Sequence, residues 1–355
     1  MAQTDNHLVI MAGGVGSRFW PMSTAERPKQ FIDVLGVGRT LIQLTYNRFA
    51  DVVSPDNVWV VTNQKYVALV HEQLPEIPLN HILSEPCRRN TAPCIAYVSW
   101  RIKKENPKAN IVVSPSDHIV ANDTEFRRVI TNCLKFTAET DAVVTLGMKP
   151  TRPETGYGYI QADLSTASAR NREIYRVDQF REKPDLHTAE QYIKQNNFFW
   201  NAGIFIWSVS TIVNAFRIYQ PSIARIFERI MDVLGTVDEQ RFIDEVYPEC
   251  ENISVDYAIM EKAEEIFVCP ADFGWSDLGT WGSLLAHTRH DIYGNAVIGN
   301  DVHLFDSKNC IVHTTEERKV VIQGLDGYIV AEQDGKLLIC RLTEEQRLKQ
   351  FTGEG

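Results

Sequence analysis

Gly13-Gly14-Val15-Gly16-Ser17-Arg18-Phe19-Trp20-Pro21, followed at short distance by Pro28-Lys29-Gln30-Phe31, is the stretch that decides how this chain reads. The apolar run Leu8-Val9-Ile10-Met11 leads straight into it. A short apolar run ending in glycine reads as a buried strand followed by a tight loop. Glycines there let backbone N–H groups close on an anion, because no Cβ stands in the way. Arg18 and Lys29 add two positive charges just behind the loop. Together these features read as a triphosphate cradle, with Gly13, Gly14, Gly16 and Ser17 as candidate nucleotide contacts. On the glycines alone, an ordinary turn with two solvated cations remains the alternative.

What is missing narrows the cradle. A dinucleotide fingerprint, G-x-G-x-x-G, fails because its third position falls on Phe19. The Walker pattern is absent too, since no Gly-Lys-Ser/Thr occurs anywhere.

Outward from this loop, short β-like runs alternate with helical stretches. Val58 to Thr62, His81 to Leu83, Ile111 to Val113 and Ala142 to Leu146 read as strands; Lys65 to Gln73 and Asn90 to Glu105 read as helices. Such alternation predicts an α/β fold, a Rossmann-like, mostly parallel (mixed) sheet covered on both faces. Ligands of such sheets bind beyond the carboxyl ends of the strands, where the glycine loop and Ser114-Pro115-Ser116-Asp117-His118 both fall. Beyond Arg289-His290-Asp291 the character changes to short strands with turn dipeptides, such as Asp326-Gly327 and Asp334-Gly335. The reading is a domain over 1–290 and a small β-rich domain over 291–355.

Two acids suit a metal ion. Asp117 follows a strand, and Asp277 lies in Phe273-Gly274-Trp275-Ser276-Asp277-Leu278-Gly279-Thr280-Trp281. Magnesium is commonly held by one or two carboxylates plus substrate phosphates. Chemistry alone leaves both residues open: Asp117 as a turn residue, Asp277 as the N-cap of a helix running from Leu278 toward His287. His118 has no second histidine at ligand-like spacing and reads as a supporting residue.

The bulk numbers set limits. The chain has 355 residues, 44% hydrophobic and 23% charged, an ordinary globular composition that needs no staples. Its net charge is −10, with pI near 5.5, which argues against nucleic acid or an anionic membrane as partner. Positive charge must therefore be gathered locally to hold a triphosphate. Seven cysteines without a C-x-x-C pair predict reduced thiols in a cytoplasmic protein. The first residues carry no basic and apolar leader pattern, and no run of about 18 apolar residues predicts a membrane span.

The stretch from Gly13 to Phe31 closely resembles the signature of the sugar-phosphate nucleotidyltransferases. Phe19-Trp20-Pro21 and Pro28-Lys29-Gln30-Phe31 look like their mannose-1-phosphate guanylyltransferase branch. Further segments match in family order: Glu85-Pro86 with Arg89-Asn90-Thr91-Ala92-Pro93, Glu154-Thr155-Gly156-Tyr157-Gly158-Tyr159, Arg181-Glu182-Lys183-Pro184 and Trp200-Asn201-Ala202-Gly203. The resemblance covers about four-fifths of the chain. It implies transfer of GMP from GTP to mannose 1-phosphate, giving GDP-mannose and pyrophosphate. It also implies Mg²⁺, or Mn²⁺, on Asp117 and Asp277, and Arg18 and Lys29 on the leaving pyrophosphate. Glu85, Asn90 and Thr91 would read the base, and Gly156, Glu182 and Asn201 the sugar. Lys183 would hold the sugar phosphate. Turn, cap and surface ion-pair roles remain the alternatives for these last residues other than Glu85.

For the C-terminal segment the resemblance implies a few coils of a left-handed β-helix. Many bacterial relatives continue into a cupin-like isomerase domain; this sequence stops at Gly355, so no isomerase activity is expected. A homodimer is carried as the assembly expectation. Two other readings are another NTP:hexose-1-phosphate pair and a non-catalytic nucleotide-sugar-binding regulator. The presence of Arg18, Lys29 and both aspartates speaks against the second.

Overall fold

The apolar runs of the first third become the strands of one sheet. The computed structural model describes residues 5–14, 16–314 and 318–353. Its strands in the first part of the chain are β1 (Asn6–Met11), β2 (Val58–Asn63), β3 (Ile82–Glu85), β4 (Asn110–Pro115), the two-residue β5 (Ile119–Val120), β6 (Val143–Met148), β7 (Tyr159–Ser168), β8 (Asn171–Arg181), β9 (Phe198–Ser208) and β10 (Ile266–Ala271). Nine of them form a sheet in the order β3-β2-β1-β4-β9-β6-β10-β8-β7.

The sheet is mixed. From β3 to β4 the pairs are parallel, with Leu8 opposite Val58 and Val112. Past β4 the sheet is mixed as expected but no longer mostly parallel: β9 runs antiparallel to both β4 and β6, while β6 and β10 pair in parallel. The hairpin β7–β8 adds further antiparallel pairing. A hairpin cannot pair in parallel, since parallel neighbours need a long crossover.

The helices are α1 (Leu41–Arg48), α2 (Val67–Gln73), α3 (Thr91–Glu105), α4 (Asp123–Thr137), α5 (Leu186–Ile193), α6 (Val209–Tyr219), α7 (Pro221–Arg229), α8 (Glu239–Val246), α9 (Trp281–His287) and α10 (Leu348–Thr352). A single apolar core joins the sheet to α3, α6 and α7, with Trp59, Trp100, Trp207 and Phe227 fully buried in it. None of the helices among the described residues is long and apolar enough to cross a membrane. All seven cysteines are free thiols.

Two compact units divide the chain. The first is Met1–Gly13, Tyr46–Pro115 and Val120–Trp275, and it holds the nine-stranded sheet. The second is Gly14–Thr45, Ser116–Ile119 and Ser276–Gly355. Its C-terminal part follows the short β11 (Trp275–Ser276) and comprises β12 (Ala296–Ile298), β13 (Val302–Phe305), β14 (Ile311–His313), β15 (Val320–Gln323), β16 (Tyr328–Gln333) and β17 (Lys336–Arg341). There β12, β14 and β16 stack in parallel, as do β13 and β15, and β17 closes antiparallel on β16. Ala296, Ile311 and Ile329 lie in register in these rungs and are fully buried. They share a core with Phe19, Met22, Leu278 and Trp281. The glycine-loop segment therefore packs in the same unit as the β-coils, and the compact units do not follow a single cut at 290/291.

Candidate functional site

In the second unit, several segments converge on Lys29. Its ammonium lies 3.1 Å from Asp117 Oδ2. It also donates to the carbonyls of Asp277 at 3.0 Å and Leu278 at 2.8 Å. Those contacts engage all three N–H bonds of an ammonium. Lys29 is only 5% exposed, and its head sits 5.7 Å from the centre of the Phe19 ring. Gly16 lies flush on its stem: a Cβ there would stand 2.9 Å from Lys29 Cγ, and φ is +63°. No side chain fits that place, so this glycine is required sterically as well as conformationally. Gln30 ties back the loop by donating to the Gly14 carbonyl at 2.8 Å.

The two aspartates are thereby held by one cation. Burial opposes ionisation of Asp117, but the Lys29 ammonium and His118 outweigh it and hold the carboxyl below its ordinary range. His118 Nε2 is 3.8 Å from Asp117 Oδ1, which fits the supporting role read for it. Asp277 is not a helix cap. α9 starts at Trp281 and is capped by Thr280, in a reciprocal capping box with Ser283. Leu278 cannot be helical, because its φ is +47°. That backbone turn is what delivers the Leu278 carbonyl to Lys29. Asp277 Oδ1 accepts from Gly279 N at 3.1 Å. Arg18 is exposed in the middle of the short 3₁₀ turn Ser17–Phe19. The side chain of Ser17 lies outside the described residues.

In the first unit, Gly13 follows β1 and faces Glu85 at the end of β3. A Cβ on Gly13 would lie 3.1 Å from Glu85 Oε2. Glu85 is 7% exposed and accepts a short hydrogen bond from the Tyr247 hydroxyl. Burial raises its pKa to about 7, against the Tyr247 bond and the nearby Arg88 charge. Asn90, at φ +65°, caps α3 by accepting from Thr91 N at 2.9 Å. Thr91 Oγ1 accepts from Val255 N at 2.9 Å. The helix-cap alternative is thus realised at Asn90, and the Thr91 hydroxyl tethers residue 255.

The remaining candidates of this unit gather around β8 and β9. Glu182 is nearly buried and pairs with Lys183 at 2.9 Å. Gly158 lies against both Glu182 and Asn201: a Cβ on it would meet Glu182 Oε2 at 2.5 Å and Asn201 Cβ at 3.3 Å. Asn201 Oδ1 accepts from Thr145 Oγ1 at 3.0 Å and Gly203 N at 3.1 Å, and its Nδ2 donates to Asp256 Oδ1 at 2.9 Å. Gly156 N donates to Glu154 Oε1 at 3.1 Å in an exposed turn. Here the strand-entry turn is what the geometry contains.

Sequence reading missed three residues: Gly158, Tyr247 and Asp256. Gly158 sits inside a motif whose other members drew the eye. Asp256 opens a π-helical turn, Asp256–Met260, a rare conformation that often marks functional sites. Burial and the Glu182 charge raise its pKa to about 6.

The Nucleotidyl transferase family model matches residues 7–292 of this chain. The chain belongs to the nucleotidyl transferase family. A protein of Escherichia coli O157:H7 named mannose-1-phosphate guanylyltransferase 2 is 36% identical over 97% of this chain and 72% of its own length. The alginate biosynthesis protein AlgA of Pseudomonas fluorescens is 36% identical over 97% of this chain and 70% of its own. A crystal structure from Thermus thermophilus, described as a mannose-1-phosphate geranyltransferase, superposes with a TM-score of 0.87 at 31% identity, covering 99% of both chains. The matched span of this nucleotidyl transferase includes the β-coils of the second unit.

Proposed function

We propose that this chain transfers GMP from GTP to α-D-mannose 1-phosphate, giving GDP-mannose and pyrophosphate. The observation that carries the reading is the meeting of Asp117 and the Asp277 loop, remote in sequence, on the single ammonium of Lys29. The curated relatives named above act as the guide to the two substrates.

In the reaction, an oxygen of the sugar phosphate bonds to the α-phosphorus while the bond to the bridging oxygen breaks and pyrophosphate leaves. A phosphate monoester has its second pKa at about 6, so the nucleophile is already ionised near neutral pH and no general base is needed. Positioning and charge neutralisation remain. Asp117, kept ionised by Lys29, and Asp277 are the residues that would hold Mg²⁺ or Mn²⁺. Two carboxylates suit such an ion, which takes its other ligands from phosphate and water. Bound there, it would supply positive charge at the phosphates. Arg18, exposed to solvent, is the side chain suited to the leaving pyrophosphate. Lys29 supports the site by holding both acidic loops in place. Glu85 offers carboxylate oxygens to the N–H groups of a guanine edge, and Lys183 offers its ammonium to the sugar phosphate. We read the C-terminal β-coils over 291–355 as a left-handed β-helix domain, and the enzyme as cytoplasmic.

Pyrophosphate release over four nucleoside triphosphates and several hexose 1-phosphates tests the reading. GTP with mannose 1-phosphate is expected to turn over fastest. A faster ATP or dTTP reaction with glucose 1-phosphate would overturn the substrate assignment.

A further inference from the structure

Asn201 is a sequence candidate for hexose recognition, yet both polar atoms of its side-chain amide are engaged by protein: Thr145 and Gly203 on its oxygen, Asp256 on its nitrogen. Through its nitrogen it holds the Asp256 carboxylate. That carboxylate lies within electrostatic reach of Glu182 and of Lys183, and the one ammonium there pairs with Glu182. An acceptor for one amide N–H need not be an acid. Setting a second carboxylate beside a nearly buried first one is costly, and such arrangements mark sites where the acceptor oxygens are used.

The neighbouring backbone is shaped around the same acids. Gly158 has no side chain where one would strike Glu182, and Asn201 N donates to the Gly158 carbonyl at 2.8 Å. Lys183, at φ +46°, turns its head back onto Glu182. The result is a wall with surplus acceptors and one cation, and a hexose 1-phosphate brings hydroxyl donors and one anionic phosphate.

We propose that Asp256 is a sugar-binding residue, accepting a hydroxyl of the hexose beside the one taken by Glu182, with Asn201 as the residue that positions it. The proposal rests on the reading of this face as the sugar-phosphate subsite.

Asp256→Asn keeps the shape and an acceptor for the Asn201 amide while removing the charge. It should raise the KM for mannose 1-phosphate about tenfold or more, the usual loss for a bond to a charged group. kcat and the KM for GTP should stay within about threefold of wild type. The decisive measurement pairs this variant with the 2-, 3-, 4- and 6-deoxy analogues of mannose 1-phosphate. The wild type should lose affinity for a particular deoxy analogue, and Asp256→Asn should no longer distinguish that analogue from the parent sugar. Asp256→Ser, which also leaves an acceptor for Asn201, replaces the Asn variant if that one fails to fold. Retention of every deoxy sensitivity in an active, folded variant would overturn the proposal, as would equal rises in both KM values. Absence of pyrophosphate release by the wild type with any substrate pair would instead overturn the functional reading beneath it.

Discussion

Asp117 in the second unit and the buried acids Glu85 and Asp256 in the first are treated in opposite ways. Asp117 has an ammonium at 3.1 Å and is held ionised below its ordinary range. Burial dominates at Glu85 and Asp256, which are raised to about 7 and about 6. A carboxylate pinned in its charged form is suited to a cation, which can in turn take phosphate oxygens. A carboxylate kept in a poorly solvated place is suited to neutral donors, such as a base edge or a sugar hydroxyl, whose hydrogen bonds gain strength there. On the function we propose, the same side-chain chemistry would serve charge neutralisation in one unit and recognition in the other.

The largest effect should come from removing the cation that sets this contrast. Lys29→Met keeps the stem that packs on Gly16 but leaves Asp117 without that ammonium and takes the Lys29 donor from two carbonyls. We expect kcat to fall by about 10²–10³, with a smaller change in the KM for mannose 1-phosphate. Steady-state kinetics with a thermal melt checks this, and a kcat within about threefold of wild type would remove Lys29 from the site.

Asp277→Asn should follow, at about 10² in kcat. Because Thr280 caps α9, the substitution leaves the helix start untouched, and the melting temperature should not move. Raising Mg²⁺ or Mn²⁺ should restore part of the activity, and titrating the metal measures that. A folded variant with normal turnover and normal metal dependence would remove Asp277 from the proposed metal site.

What the residues revealed in advance divides along the same line. The glycine-loop stretch stood out as a candidate phosphate site because its parts are dense in sequence: three glycines, an arginine and a lysine within one short stretch. Strands β1 to β4 were legible as uninterrupted apolar runs. The hairpin β7–β8 was not, because most of Ser165–Ser168 and Arg172–Glu173 is exposed and polar, with no alternation to read. That omission also hid the antiparallel half of the sheet. Tyr247 and Asp256 were invisible for a different reason. Each stands in an unremarkable stretch, and its importance arises only when Glu85 or Asn201 is brought against it from far away in the chain. Leu278 misled the reading of a helix start, since nothing in its identity announces a positive φ.

On the recognition side, Gly158→Ala tests whether the position of Glu182 matters more than the fold around it. The new Cβ would collide with the Glu182 carboxylate, a flexible group that can swing aside at little cost in stability. We expect a KM for mannose 1-phosphate raised about tenfold, the loss of one charge-assisted bond, with GTP unaffected. A matched fall in melting temperature and in both substrates' kcat/KM would instead mean that Gly158 only packs.

The smallest effect is a pH dependence, and it separates the two classes of acid directly. With its pKa at about 7, Glu85 loses its charge over a range in which Asp117, held below its ordinary value, keeps it. The KM for GTP should therefore rise about fourfold between about pH 8 and about pH 6.5 as the ionised fraction of Glu85 falls. In Glu85→Gln it should be higher throughout and flat across that window. Stability carries the opposite sign. The native state keeps a proton on Glu85 that the unfolded chain has released above its ordinary pKa of 4.5. This residue's contribution to stability is therefore full below pH 4.5 and declines as pH rises to about 7, by about 3 kcal/mol at most. Without nucleotide, Glu85→Gln should accordingly gain on the wild type in melting temperature from about pH 5 to about pH 8. A GTP dependence that stays flat in the wild type, beside a melting difference that does move with pH, would mean that Glu85 titrates as described but does not face the base.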